Sequence, residues 1–250
     1  MTDISDSLKT KKLTEISAFV QPIVNIGTGL PIGLEVLLRG NGKDGETYVP
    51  AKTFLKNLTS LDDYNVVTMR MLDLVTGEAN QVSLGSALTG ISFVSFNLIA
   101  GQLSCPELVK QLINFHKKLP HGINLVIELL EGYEADLKKE IVEVIKYLSS
   151  HGVKFAIDDF GNNSIDLEYL NSLNLNILKM DICMAGVHHG RLIFEKTIES
   201  LVSLADKMNV LLIAEGVETK EQLALLTECG VENIQGFYYS KPYLWNGLLS

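Results

Sequence analysis

Acids and amides recur at the ends of short apolar runs in this 250-residue chain. Glu35 lies within Gly33-Leu34-Glu35-Val36-Leu37-Leu38-Arg39, Asn97 closes Phe93-Val94-Ser95-Phe96-Asn97, and Glu128 follows Leu125-Val126-Ile127. Asp158-Asp159 follows Phe155-Ala156-Ile157, Lys179 and Asp181 lie in Leu178-Lys179-Met180-Asp181, and Glu215 closes Leu211-Leu212-Ile213-Ala214-Glu215. A single acid in such a place is more often a cap for the helix that follows than a ligand. A ring of them is different, because carboxylates crowded within a few ångströms repel one another unless cations lie between them. The donors are oxygens, with no His or Cys at ligand spacing, which favours Mg²⁺, Mn²⁺ or Ca²⁺ over zinc. His188-His189 reads as a solvated loop pair rather than a metal site.

Spacing adds detail to that chemistry. Successive side chains of a regular strand point to opposite faces, so Asp158 and Asp159 serve one site only where the strand ends and Asp159 turns toward a second ion. Lys179 and Asp181, two apart, share a face, as do Glu35 and Arg39, four apart. A lysine and an arginine beside metal-binding acids are suited to a phosphate diester, whose negative charge an acidic mouth would otherwise repel.

The elements that must position these residues follow from the apolar pattern. Strands are expected at Phe19–Ile26, Ile32–Arg39, Ile91–Asn97, Leu125–Leu129, Lys154–Asp158, Ile177–Asp181, Leu211–Glu215 and Asn233–Phe237, where Val, Ile, Leu and Phe cluster. Helical spacing marks Asp62–Glu78, Pro106–Lys118, Glu134–Ser150, Leu192–Met208 and Lys220–Cys229. Strands alternating with helices make an α/β fold, and eight of them suggest a TIM-like (β/α)8 barrel whose mouth lies at the strand C-termini. The first two strands depart from the alternation. Only the turn Asn25-Ile26-Gly27-Thr28-Gly29-Leu30-Pro31 separates them, which predicts a hairpin and an antiparallel first strand. Residues 1–18 read as a polar N-terminal segment too short to fold alone, and 19–250 as one barrel domain.

Composition narrows the function classes. A net charge of −9 argues against a protein that tracks nucleic-acid phosphates. No run reaches the roughly 20 apolar residues of a membrane span. Cys105, Cys183 and Cys229 are far apart and odd in number, as expected of reduced thiols in the cytoplasm. The sequons at Asn57 and Asn162 are then chance matches.

Taken in order, these residues resemble the EAL-domain family of cyclic di-GMP phosphodiesterases. The naming motif reads Glu35-Val36-Leu37, followed by Asn97, Glu128-Leu129-Leu130-Glu131, Asp158-Asp159-Phe160-Gly161, Lys179-Met180-Asp181, Ala214-Glu215-Gly216-Val217-Glu218 and Gln235-Gly236-Phe237. The resemblance implies that Glu35, Asn97, Glu128, Asp158 and Asp159 bind metal and that Lys179 orients or activates the attacking water. By the same resemblance Glu215 is the candidate base or outer acid, Gln235 a hydrogen-bonding neighbour of the substrate, and Arg39 the holder of a substrate phosphate. Glu131 would anchor the loop after Asp159. The implied reaction is hydrolysis of cyclic di-GMP to linear pGpG with Mg²⁺ or Mn²⁺, with Ca²⁺ inhibitory, by a cytoplasmic homodimer affecting motility and biofilm formation. The chain departs from the family pattern at Asn162-Asn163-Ser164-Ile165-Asp166, in a loop that supports metal binding and the dimer contact, and at Gly40, where an aromatic residue is usual. Two alternatives stay open on those departures: a receptor that binds cyclic di-GMP without turnover, and a regulator acting through a protein partner.

Overall fold

The computed structural model describes residues 15–42, 47–56, 58–77, 85, 88–129, 139–161 and 175–248. Eight strands form the barrel: β1 (Ile16–Asn25), β2 (Pro31–Asn41), β3 (Phe93–Leu98), β4 (Asn124–Leu129), β5 (Lys154–Phe160), β6 (Ile177–Met180), β7 (Leu211–Ala214) and β8 (Asn233–Gln235). Strands β2 to β8 are parallel neighbours in chain order. Strand β1 closes the ring by pairing antiparallel with both β2 and β8. The expected TIM-like barrel with a reversed first strand is therefore present. Closure leaves no free edge among the barrel strands, which removes the row of unpaired backbone groups an open sheet would present.

The hairpin between β1 and β2 is built by Asn25. Its side-chain Oδ1 accepts from the backbone N–H of Thr28 at 3.1 Å, and its backbone carbonyl accepts from Gly29 at 2.9 Å. Gly29 sits at φ +67, a conformation glycine adopts without steric penalty. The register then runs unbroken from Pro22 opposite Leu34 to Ile16 opposite Gly40.

Among the described residues five longer helices pack outside: α1 (Leu61–Gly77), α2 (Pro106–Lys118), α3 (Lys139–Ser150), α4 (Glu195–Met208) and α5 (Lys220–Glu228). The first four each bury one stripe, such as Leu108, Leu112 and Phe115 on α2 or Ile141, Ile145 and Leu148 on α3, and α5 buries Leu226. The 3.6-residue period turns those spacings onto one face. Pro106 opens α2 where a missing N–H does no harm, and Thr219 caps α5 by accepting from Gln222 N–H. The start of one helix is corrected. The helix expected from Leu192 starts at Glu195, because Arg191–Leu192 pairs with Val187–His188 in a small hairpin. His189 and Gly190, at φ +49 and +72, form its tip, and both histidines are exposed as a loop pair should be.

Period-two alternation divides the apolar residues into two cores. Outward-facing Leu125, Ile127, Phe155, Ile157, Leu178 and Ile234 meet the helices. Inward-facing Ile23, Phe93, Val126, Ala156, Ile177 and Ile213 plug the barrel floor. Phe93 fits because Gly33 on the next strand has no side chain: a Cβ there would lie 2.2 Å from the ring. Among the described residues no helix is long and apolar enough to cross a membrane.

Gly33→Ala should therefore destabilise the protein by about 1–3 kcal/mol through overpacking, lowering the melting temperature by several degrees. The effect should couple to Phe93→Leu, with the double variant melting above the sum of the single losses. Strict additivity in thermal denaturation would show that the ring and the missing side chain do not share one space.

Candidate functional site

The mouth of the barrel is one step above its apolar floor. On each parallel strand, moving two residues toward the C-terminus from an inward floor position leads to the next inward position. Gly33 gives way to Glu35, Val126 to Glu128, Ala156 to Asp158, Ile177 to Lys179, Ile213 to Glu215 and Asn233 to Gln235. On β3 the step is taken twice, from Phe93 through Ser95 to Asn97. Strand β1 runs the other way, so its polar residue comes two positions before Ile23: Gln21, opposite Glu35.

Lys179 is the centre of this layer. Its side chain is only 1% exposed, and its Nζ lies 2.6 Å from Glu215 Oε1, 2.7 Å from Glu128 Oε2 and 3.3 Å from both Glu35 Oε2 and Asp158 Oδ1. Glu35 is held from the other side as well. Asn97 Nδ2 donates to its Oε1 and Gln235 Nε2 to its Oε2, each at 2.5 Å. Gln235 Nε2 also reaches Gln21 Oε1 at 3.3 Å, and Gln21 Nε2 donates to the Ser240 carbonyl at 3.0 Å. The pattern of polar strand ends does not mark Gln21. Its signal was available in the hairpin, which reverses the direction in which inward positions must be counted.

One ammonium shared by several carboxylates makes their titration unequal. Burial pushes the Glu35 carboxyl up, but Lys179 and the two amide donors outweigh it and hold the group below its ordinary value. Glu128 ends well above its ordinary value, because burial and the Glu35 charge exceed what its share of Lys179 returns. Glu215 is pushed up to about 8, first by burial and then by Asp158 and Glu35 against the pull of Lys179. Lys179 stays firmly protonated: burial disfavours its charge, but Asp158, Glu128, Glu215 and Glu35 together raise its pKa.

The paired aspartates reach the mouth by a route the alternation rule did not contain. Strand β5 continues to Phe160 rather than ending at Asp158, and its register against β6 shifts between Ile157 and Phe160. Asp159 takes φ +57 at that irregularity, which returns its side chain toward that of Asp158. Carboxylate oxygens of Asp158, Asp159 and Glu215 consequently lie within 4.8 Å of one another, the one such acid, His or Cys group among the described residues. Burial, the Asp158 charge and Asp181 push the Asp159 carboxyl up to about 6. Asp181 itself accepts from Cys183 N–H at 2.7 Å and starts a short turn, Ile182–Ala185.

These residues fit a divalent cation. All the available donors are oxygens, and Asn97 Oδ1 is a buried carbonyl with no hydrogen-bond partner in the protein. Such a carbonyl beside acids is an ordinary ligand for Mg²⁺, Mn²⁺ or Ca²⁺. Above the acids opens a cleft of about 300 Å³, bordered by Glu35, Asp158, Glu215, Gln235 and the exposed side chains of Ile182 and Phe237. Gly236 allows its rim to close, since a Cβ there would lie 2.1 Å from the Val217 carbonyl oxygen. Arg39 stands farther up β2, with its guanidinium 5.7 Å from the centre of the Phe19 ring and its NH1 donating to the Leu38 carbonyl at 2.8 Å. Gly40 is packed against Phe54, whose ring lies 2.7 Å from where a Cβ would stand. Glu131 and the segment Asn162–Asp166 lie outside the described residues.

A family model, the EAL domain, matches residues 2–242 of the chain. PdeG of Escherichia coli K12, described as a probable cyclic di-GMP phosphodiesterase, is 28% identical over 236 residues, covering 94% of this chain and 46% of its own length. PdeL of the same strain, described as a cyclic di-GMP phosphodiesterase, is 29% identical over 240 residues, covering 94% of this chain and 65% of its own length. A solved structure of PaMucR phosphodiesterase in complex with c-di-GMP is 27% identical with a TM-score of 0.77, covering 94% of this chain and 99% of that one. The chain thus spans roughly half to two-thirds of these curated relatives.

The raised Glu215 carboxyl has a definite effect on metal-free stability. A group whose folded pKa lies above its unfolded value of 4.5 contributes stability that is complete below 4.5 and is lost as pH rises through about 8. In EDTA the protein should therefore lose melting temperature between about pH 5 and about pH 8.5, and Glu215→Gln should flatten that dependence. Parallel pH profiles for the two proteins would mean that Glu215 titrates alike in the folded and unfolded chains.

Proposed function

The chain belongs to the EAL domain family, and from that premise we propose that it is a metal-dependent phosphodiesterase that hydrolyses cyclic di-GMP to linear pGpG. The observation that carries this reading is the convergence of Glu35, Glu128, Asp158, Asp159 and Glu215 on one mouth with a buried lysine among them. The similarity to PdeG and PdeL, whose descriptions name that substrate, supports it. Glu35, Asn97, Glu128 and Asp158 would hold one cation and Asp158 and Asp159 another, with Glu215 within 4.8 Å of that pair and Mg²⁺ or Mn²⁺ as the activating ions. Bound there, such cations would polarise the phosphate and lower the pKa of water toward neutrality.

The chain's own groups have distinct tasks in this reaction, which consumes one water and opens one phosphate ester bond. Arg39 would bind a phosphate through its planar fork of donors. Lys179, kept charged by its surroundings, acts as a hydrogen-bond donor that orients the attacking water rather than as a base. Glu215, beside the paired aspartates and 2.6 Å from Lys179 Nζ, is the group placed to take that water's proton. Gln235 and Asn97 fix the Glu35 carboxylate through their amide donors, while Gln235 also borders the cleft where substrate would lie. A cytoplasmic homodimer that lowers a second messenger governing motility and biofilm formation is the setting this reading implies.

Purified protein given cyclic di-GMP with Mg²⁺ or Mn²⁺ should form pGpG, and Ca²⁺ should support binding without turnover. Glu35→Ala should reduce the rate by at least about a hundredfold, comparable to losing one strong transition-state contact. Arg39→Ala should chiefly weaken substrate binding. Binding without product under every metal would instead favour a receptor, and neither binding nor product would favour a regulator acting on a protein partner.

A further inference from the structure

Carboxylate oxygens brought together for cations must also be held together when no cation is bound. In this fold the ammonium of Lys179 contacts Glu35, Glu128, Asp158 and Glu215 at 2.6–3.3 Å, and the first three are acids that the metal reading assigns as ligands. Lys179 is among the largest fully buried side chains of the protein, and it stands on β6 directly above Ile177 of the barrel floor. Its stem is therefore packed, and its charge has nowhere to go but among the acids. We propose that Lys179 is the resident cation of the metal-free site, holding the ligand oxygens in position and exchanging contacts with them when a divalent ion enters. This inference rests on the metal-binding reading above and extends it to a state in which no reaction occurs.

The physical argument is one of compensation. A buried ion pair is not in itself strongly stabilising, but removing one partner leaves the other uncompensated and is strongly destabilising. Deleting Lys179 removes the shared partner of all four acids at once. A divalent ion is the natural replacement, since it is positive and takes the same oxygens. By linkage, a ligand that stabilises one variant more than another must bind that variant's folded state more tightly. A lysine that competes with metal for oxygens thus leaves a signature opposite to that of a lysine that only helps metal to bind. Its removal should increase metal affinity.

The test compares wild type with Lys179→Met, which keeps the length of the stem and deletes the charge. In EDTA the variant should melt about 10 °C below wild type, from the usual penalty for an unpaired buried charge and the size of the protein. Saturating Ca²⁺ should close at least half of that gap, and calorimetric titration with Ca²⁺ should give a several-fold lower Kd for the variant. If the variant does not fold in EDTA, it should fold when refolded with Ca²⁺ and unfold again on chelation. A gap unchanged by Ca²⁺, a weaker Kd in the variant, or a variant that stays unfolded with Ca²⁺ would each overturn the proposal. None of these readouts uses turnover. A wild type that binds Ca²⁺ but never forms pGpG would sink the phosphodiesterase reading alone, whereas wild type and variant binding Ca²⁺ alike would sink this inference alone.

Discussion

Several acids are placed over the floor of an apolar barrel, and the ammonium of Lys179 stands among them as their common partner. Charges removed from water are destabilising unless paired and hydrogen-bonded. Lys179 supplies the pairing to Glu35, Glu128, Asp158 and Glu215. Amides supply the rest: Asn97 and Gln235 donate to Glu35, and Gln21 buttresses Gln235. The polar layer is thus one connected network, in which each side chain is positioned by a neighbour on a different strand.

The closed barrel is what brings those neighbours together. Seven parallel strands present their C-terminal ends on one side, so inward positions just above the floor become a ring. The reversed β1 fills the eighth place without a helix of its own. It returns the chain through a tight turn and pairs with β2 and β8, carrying Gln21 to the level of Glu35 and Gln235. Reversal therefore serves both closure of the sheet and completion of the polar layer.

A local irregularity does what regular structure cannot. Adjacent strand residues diverge, yet Asp158 and Asp159 both offer oxygens to one group because the backbone shifts register and Asp159 enters the left-handed region. A non-glycine residue in that region is uncommon, and such conformations tend to persist where surrounding structure over-determines them. Here the surroundings include Asp181, which follows the next strand.

Much of this organisation was legible in the sequence. Apolar runs of strand length separated by helical stripes located all eight barrel strands, because burial on both faces of a parallel sheet leaves a continuous apolar signal. The short Gly-containing turn after Asn25 revealed the antiparallel first strand, because no helix fits in it. Acids at the ends of those runs marked the mouth, because a charge next to an apolar strand is conspicuous against its background. The tertiary structure decided what depends on direction and distance. Gln21 is polar in an ordinary way and acquires its place only through the reversed pairing with Glu35. The hairpin at Arg191–Leu192 overrides a helical pattern because its partner, Val187–His188, precedes it across a turn. Lys179 is named by sequence as one cation near several acids, but only the closed barrel makes it their common partner, because contacts among five strands are set by register around the ring and not by spacing along the chain.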